Sequence, residues 1–420
     1  MIPKGFDPAP RSYAPFVSAV RRSARGPASA PAETTVAETV DWLLQNRTVD
    51  DDPLAMIESF FWRLRAAGLP VDRGSFHVGT LHPQIAGYAW NWRAADGLTD
   101  EVIVSPGADG QDAYLRNPLR PVFEKGEAVR GSPARAEDRA RFRMFEELHA
   151  QGVTDYVCRP IGRRGARWNA ATFATTRPGG FTEDDIERLN RIFDLATLHI
   201  ERRISDLVAR NVAAAYLGEV AGAEVLRGAI ARGDGRAIRA VIWVSDMRGF
   251  SERADRLLPG ETTAMLNLYF EALAGAVTAE GGDVLKFIGD GLLAVFPTGS
   301  GEAEAAVRAL RAARAGLARL ARLNEAPPEG LAAAALPLET GIALHLGEVF
   351  FGNVGAPDRL DFTVIGAAVN EAARVEALTK ALGRPILLTE PVAALAEAPL
   401  EEMGAHPLRG VSRPVRLFAG

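Results

Sequence analysis

The chain has 420 residues, 47% hydrophobic and 24% charged, with 48 basic against 53 acidic side chains and a net charge of −5. That length allows two or three domains of ordinary globular composition, and the slight acidity argues against a general nucleic-acid surface, which shows as a basic face. The one cysteine, Cys158, excludes an internal disulfide and any cysteine-based zinc site.

No apolar run approaches the roughly 18 residues of a membrane helix, and the opening MIPKGFDPAPRSYAPF lacks the apolar core of a signal peptide. A soluble protein of the reducing cytoplasm, without a membrane span, is therefore expected. Residues 1–34 are rich in Pro, Ala, Ser and Arg with little apolar period, which predicts a disordered lead-in. DDPLAMIESFFWRLRAAG then sets Leu54, Ile57, Phe61 and Leu64 at helical spacing, ended by Gly68 and Pro70. SFHVGTL, AGYAWNW and EVIVS read as strands, DRARFRMFEELHAQG as a helix, and TDYVCRPI and WNAATFATT as further strands. Tyr88, Trp90 and Trp92 alternate, so they share a strand face and line either a pocket or a core, with core packing expected.

A Pro-Gly-Gly turn precedes Thr182, an N-cap with Asp185 three residues on. Ile186, Leu189, Ile192, Phe193, Leu195, His199 and Ile200 follow at three-to-four spacing. The pattern predicts a connecting helix over 182–217, packed at first and stalk-like near its end. Next come a buried strand (IRAVIWVS, 238–245), a helix over 260–280, a hairpin (DVLKFIGDGLLAVFP) and a helix over 302–324. Two strand runs, ETGIALHLGEVFFGNVG and RLDFTVIG, lead to a helix (AAVNEAARVEALTKALG) and short tail strands. Strands alternating with long helices imply an α/β or α+β domain with a mixed sheet.

Three stretches carry chemistry. In VIWVSDMRGFS an apolar strand ends in Asp246, and in FIGDG Asp290 sits between Gly289 and Gly291 at a hairpin tip. Glycine permits turn geometry and close approach. Two carboxylates on strand ends can hold hard divalent cations and bridge them to phosphates. Asp290 alone would be an ordinary turn residue. In TVIGAAVNEAARVE, however, Asn370 and Arg374 lie four apart on one helix face, and a guanidinium suits the charge of a transferring phosphoryl group.

Residues 205–420 resemble the class III nucleotidyl cyclases, the adenylate and guanylate cyclase catalytic domains. SDMRGF, FIGDG, GNVG, TVIGAAVNEAARVE and LRGVSRPVRLF occur in the family's order and spacing. The resemblance implies a ferredoxin-like, palm-type mixed sheet over residues 218–420. It implies that Asp246, Asp290 and the backbone of Met247 hold two Mg²⁺ or Mn²⁺ ions per active site. Asn370 would orient the ribose and Arg374 stabilise the pentavalent phosphorus. Lys286 and Thr363 match the adenine-type base-reading pair, and Arg409 stands where the family often contacts the triphosphate. The implied reaction is attack of the ribose 3′-hydroxyl of ATP on the α-phosphorus, with pyrophosphate leaving. The sites of that family form between two catalytic domains, so a homodimer is expected. One departure is Ala367 and Ala368, where many members carry a polar group. GGDV at 281–284 is similar to a diguanylate cyclase signature but lacks its Glu-Phe. His345 is expected to be a core or interface residue rather than a base.

Residues 35–200 resemble a GAF-type sensor, an antiparallel sheet with helices, on NPLRPVFEKGEAVR, GVTDYVCRPI and WNAATFATTRPGGFTEDDIERLN. That implies an unidentified small-molecule or protein input. Cys158 and His149 could be offered as chromophore contacts, but structural roles are expected. The leading expectation is an adenylate cyclase. A guanylate or pyrimidine nucleotide cyclase, or a catalytically silent nucleotide-sensing module, are the alternatives.

Overall fold

The computed structural model describes residues 3–45, 52–164 and 167–420, in two compact units, 1–212 and 213–420. In the first unit β1 (Val17–Ser23), β2 (Arg73–His82), β3 (Ile85–Arg93), β4 (Thr99–Val104), β5 (Val129–Gly131), β6 (Asp155–Arg164) and β7 (Arg167–Thr175) form one sheet. Its order is β1-β4-β3-β2-β7-β6-β5, antiparallel at every pairing.

The helix Pro53–Ala66 begins where the Asp52 carboxylate accepts the Leu54 N–H at 3.2 Å and Pro53 presets the first turn. It buries Leu54, Ile57, Phe61 and Leu64, as their spacing predicts. Phe61 stacks on Trp92 with centroids 5.2 Å apart, and Phe60 meets Phe193 edge-on at 5.5 Å. Trp90 and Trp92 are core residues, 3% and 0% exposed. Each such ring adds roughly 1.5–3 kcal/mol through burial. The helix Glu183–Leu217 opens with the expected box: the Thr182 N–H donates to Asp185 at 2.8 Å, and the Asp185 N–H to the Thr182 hydroxyl at 3.1 Å. Its burial ends at Val208, and Tyr216 is 84% exposed.

Two expectations need correction. Residues 1–34 were expected to be disordered; residues 1 and 2 lie outside the described residues, but Val17–Ser23 pair along β4. Arg11, 4% exposed, grips Asp96 through Nε (2.8 Å) and Nη2 (2.7 Å). The order comes from partners some 85 residues away, which no local pattern carries. The helix expected over 138–152 is two short ones, Ala136–Arg141 and Met144–Ala150. Phe142 turns extended between them and buries its ring against Phe145. Cys158 is fully buried, and that burial pushes its thiol up to about 12; His149 is exposed.

The second unit contains β8 (Gly235–Met247), β9 (Asp283–Ile288), β10 (Gly291–Pro297), β11 (Thr340–Ala356), β12 (Arg359–Ile365), β13 (Ile386–Thr389), β14 (Glu401–His406) and β15 (Val415–Ala419). The order is β14-β15-β13-β11-β8-β10-β9, with β12 on the far half of β11. The pairing β11–β13 is parallel and the rest antiparallel, giving the mixed helix-and-sheet α+β architecture expected. β8 is apolar on both faces because both are covered. Val241 and Trp243 pack with Met265, Tyr269 and Ala309 from the helices Pro259–Ala279 and Glu302–Glu325. Ala240 and Ile242 face Ala368 and Ala372 of the helix Ala367–Ala381.

Asp283, at the start of β9, is mostly buried, and its Oδ2 has no partner among the described residues. Burial, then the charge of Glu219, pushes its carboxyl up to about 6. An acid raised in the folded state binds more protons there than when unfolded. Stability therefore falls as pH rises from about 4 to about 6, by at most about 3 kcal/mol. Asp283→Asn is expected to raise the melting temperature at pH 7.5 and not at pH 4; equal shifts at both would contradict the assignment.

Candidate active site

The hairpin β9–β10 closes through two residues, Gly289 and Asp290. Gly289 takes φ +62°, which favours glycine, while Asp290 does not have positive φ. Gly291 serves differently. A Cβ there would lie 3.1 Å from the Ser245 carbonyl and 3.3 Å from Asp246 Oδ1, so its absence lets the hairpin tip close on the end of β8. Asp246 is flanked on the other side by Gly341 of β11.

These contacts bring the Asp246 and Asp290 carboxyls within hydrogen-bonding reach. The Asp246 carboxyl is pushed above its usual range by partial desolvation, then by the charge of Asp290 and the hydrogen bond between them. Arg248 and the Met247 N–H oppose the shift. Placing two carboxylates side by side makes ionising both costly, and a cation between them offsets that cost. The Met247 side chain is buried at 4% exposure, so what it can offer a cation is its backbone. Among the described residues no three His, Cys, Asp or Glu side chains form a metal-holding group. Two carboxylates with a backbone oxygen nevertheless fit Mg²⁺ or Mn²⁺, which take remaining ligands from water and substrate phosphates.

Residues outside the sequence-derived set hold this pair. The Thr340 hydroxyl donates to the Asp246 carbonyl at 3.0 Å, and the buried Tyr269 hydroxyl lies 2.7 Å from the Thr340 hydroxyl. Arg248 donates to the Thr379 hydroxyl. The Glu376 carboxyl is pushed up to about 7, by burial first and then by the charge of Asp246. A Cβ on Gly341 would collide with Thr379, Glu376 and Arg248, all within 2.7 Å, so the glycine makes room for this cluster beside Asp246. Arg248 and Glu376 stand inside motifs the sequence displays, but nothing local marks them as partners of a carboxylate.

Lys286 on β9 and Thr363 on β12 line one cavity of about 570 Å³, with Ile288, Asp361 and Ile365. The Thr363 hydroxyl is buried without a hydrogen-bond partner among the described residues. Lys286 Nζ lies 3.3 Å from Asp361 Oδ2, a pairing the sequence did not suggest. Asn370 and Arg374 both sit on the helix Ala367–Ala381, Asn370 exposed and Arg374 half-buried. Among the described residues neither side chain has a hydrogen-bond or ion-pair partner. The Arg374 guanidinium lies about 3.5 Å from where a Gly410 Cβ would stand, next to exposed Arg409. His345 is a satisfied core residue: Nδ1 is 2.9 Å from the Thr389 hydroxyl, and burial lowers its pKa.

The structure thus assembles the expected residues as three groups: the carboxylate pair, the Lys286/Thr363 cavity, and the two side chains on the last long helix. Residues 237–415 match the family model of the adenylate and guanylate cyclase catalytic domain, and this C-terminal region belongs to that family. The chain is 36% identical over 155 residues to an adenylate cyclase of Anabaena cylindrica, covering 37% of this chain and 30% of that protein. It is 34% identical over 279 residues to an uncharacterized protein of Mycobacterium tuberculosis, covering 63% of this chain and 46% of the other. It therefore spans less than half the length of these relatives. Among solved structures it is similar to the guanylyl cyclase Cya2, with 30% identity, a TM-score of 0.39, and 44% and 92% of the two chains covered. Among the described residues no helix is long and apolar enough to cross a membrane.

Proposed function

We propose that the protein is an adenylate cyclase, forming 3′,5′-cyclic AMP and pyrophosphate from ATP. The observation that carries this reading is the Asp246–Asp290 pair, two carboxyls held side by side, an arrangement that a bound cation would stabilise. Bound Mg²⁺ or Mn²⁺, two per site, supplies the positive charge that makes the 3′-hydroxyl acidic and the α-phosphate electrophilic. The bond from O3′ to the α-phosphorus forms as the bond to the β-phosphate oxygen breaks, and the hydroxyl proton leaves to solvent. Positioning and electrostatics dominate such a displacement. Asn370 orients the ribose, Arg374 neutralises charge on the equatorial oxygens, and Arg409 contacts the triphosphate.

Adenine offers an acceptor at N1 and a donor at its amino group. The Lys286 ammonium can donate to the first. The unpartnered Thr363 hydroxyl can accept from the second while remaining in the cavity wall. Asp361 supports the runner-up, a guanylate cyclase, because its carboxylate is the acceptor a guanine N–H would take. Lys286→Glu with Thr363→Cys is expected to lower the ATP/GTP ratio of kcat/KM by at least about tenfold. An unchanged ratio, measured by product chromatography, would mean the base is read elsewhere.

We further infer that the enzyme works as a homodimer, each site combining Asp246 and Asp290 of one protomer with Lys286, Thr363, Asn370 and Arg374 of its partner. The unengaged Asn370 and Arg374 side chains support this, as do Ile288 and Ile365, 59% and 44% exposed in the cavity wall. A GAF-like regulatory role for the first unit, and a cytoplasmic setting where ATP is available, complete the reading.

A further inference from the structure

The first unit has a partly open cavity of about 650 Å³ that no step of the cyclase reading uses. This lies within the size range of small-molecule sites. Its wall is mostly apolar, with Phe16, Tyr88, Val102, Leu119, Phe123 and Trp168 among the lining residues. Four arginines (Arg73, Arg93, Arg143 and Arg167) line it with two glutamates, Glu146 and Glu147, and Arg143 is paired with Asp112 at 2.8 Å.

Arg73 and Arg93 are direct cross-strand partners in the β2–β3 register. Like charges so placed repel. Both reach the same carboxylate oxygen, Glu147 Oε1, each at only 3.8 Å, and Glu147 is itself 59% exposed. Arg73 Nη1 has one further partner, Gln151 Oε1 at 3.0 Å. Arg93 Nε is buried with no partner among the described residues. The other nearby acids are committed: Asp96 is gripped by Arg11, and Glu146 lies 3.5 Å from Arg139. Burial and the charge of Arg93 lower the Arg73 pKa to about 10, which still leaves it cationic at neutral pH. His77 adds no charge. Burial, then Arg73, lowers it to about 4, and its Nε2 lies 2.8 Å from the Ser75 hydroxyl.

We propose that this cavity is a binding site for a small organic anion, its carboxylate seated between Arg73 and Arg93 and its apolar body against Phe123 and Trp168. A carboxylate there would relieve the repulsion between the two guanidiniums and give the buried Arg93 Nε–H an acceptor. Planar guanidiniums suit that role because they meet a carboxylate through paired N–H donors. The proposal rests on the cavity alone and is independent of the reading of the C-terminal domain.

The test is isothermal titration of the full-length chain with octanoate and with octanamide, equal in length and differing in charge. Octanoate is expected to bind at least about tenfold more tightly, about 1.4 kcal/mol. Arg73→Gln and Arg93→Gln should each bring octanoate to the level of the amide and leave amide binding unchanged, while Arg93→Lys should keep part of the preference. Retained amide binding certifies that a variant is folded. Should a variant lose both ligands, the acid/amide ratio of the wild-type chain decides alone. Equal binding of acid and amide, no binding of either, or octanoate affinity indifferent to both glutamine substitutions would overturn the proposal.

Discussion

Replacing Asp290 by alanine is expected to lower turnover by about a hundredfold to a thousandfold while leaving the fold intact. The magnitude follows from what the residue does. Asp290 is one of two side-chain carboxylates available to hold the cations, and loss of a single preorganised electrostatic group typically costs a hundredfold to a thousandfold. The fold should not suffer, because Asp290 is a turn residue whose carboxyl opposes ionisation of Asp246. Removing it relieves a repulsion, and Gly289 keeps the φ +62° that shapes the turn. Turnover measured with Mn²⁺ and with Mg²⁺, beside a thermal unfolding curve, checks both halves. Unchanged turnover in a folded variant would remove the metal-site assignment.

The second large effect is a recovery. Asp246→Ala and Arg374→Ala should each be inactive as homodimers, yet a mixture should regain up to about a quarter of wild-type activity. In a two-fold dimer with shared sites, random mixing makes about half the molecules heterodimers, and each heterodimer has one site with both residues intact. Differently tagged chains would show by co-purification that heterodimers form. Heterodimers without recovered activity would mean that Asp246 and Arg374 act within one protomer.

How much of this the sequence displays depends on the reach of each signal. Asp246 and Asp290 were legible because strand ends and glycine turns are local, and the structure closes the two onto each other through Gly291. The burial of Leu54, Ile57, Phe61 and Leu64, and the Thr182–Asp185 box, follow from spacing within one helix. Asp361 beside Lys286 was not legible, because that pairing joins β9 to β12 across 75 residues. Glu376 and Arg248 are 128 positions apart in sequence and meet only through the register that sets Gly341 opposite Asp246. The ordering of residues 3–34 and the Arg73/Arg93 floor of the first unit's cavity have the same origin. Both depend on strand pairing, which composition does not encode.

The most direct test of the central claim is a product assay on the purified full-length chain. ATP, GTP, CTP and UTP would be supplied separately with Mn²⁺ and with Mg²⁺, and the cyclic products resolved by chromatography. The account predicts cyclic AMP from ATP, with little or no cyclic product from the other three. Cyclic GMP from GTP with ATP untouched would contradict the roles given to Lys286 and Thr363, and no cyclic product from any nucleotide would contradict the assignment of catalysis to Asp246 and Asp290.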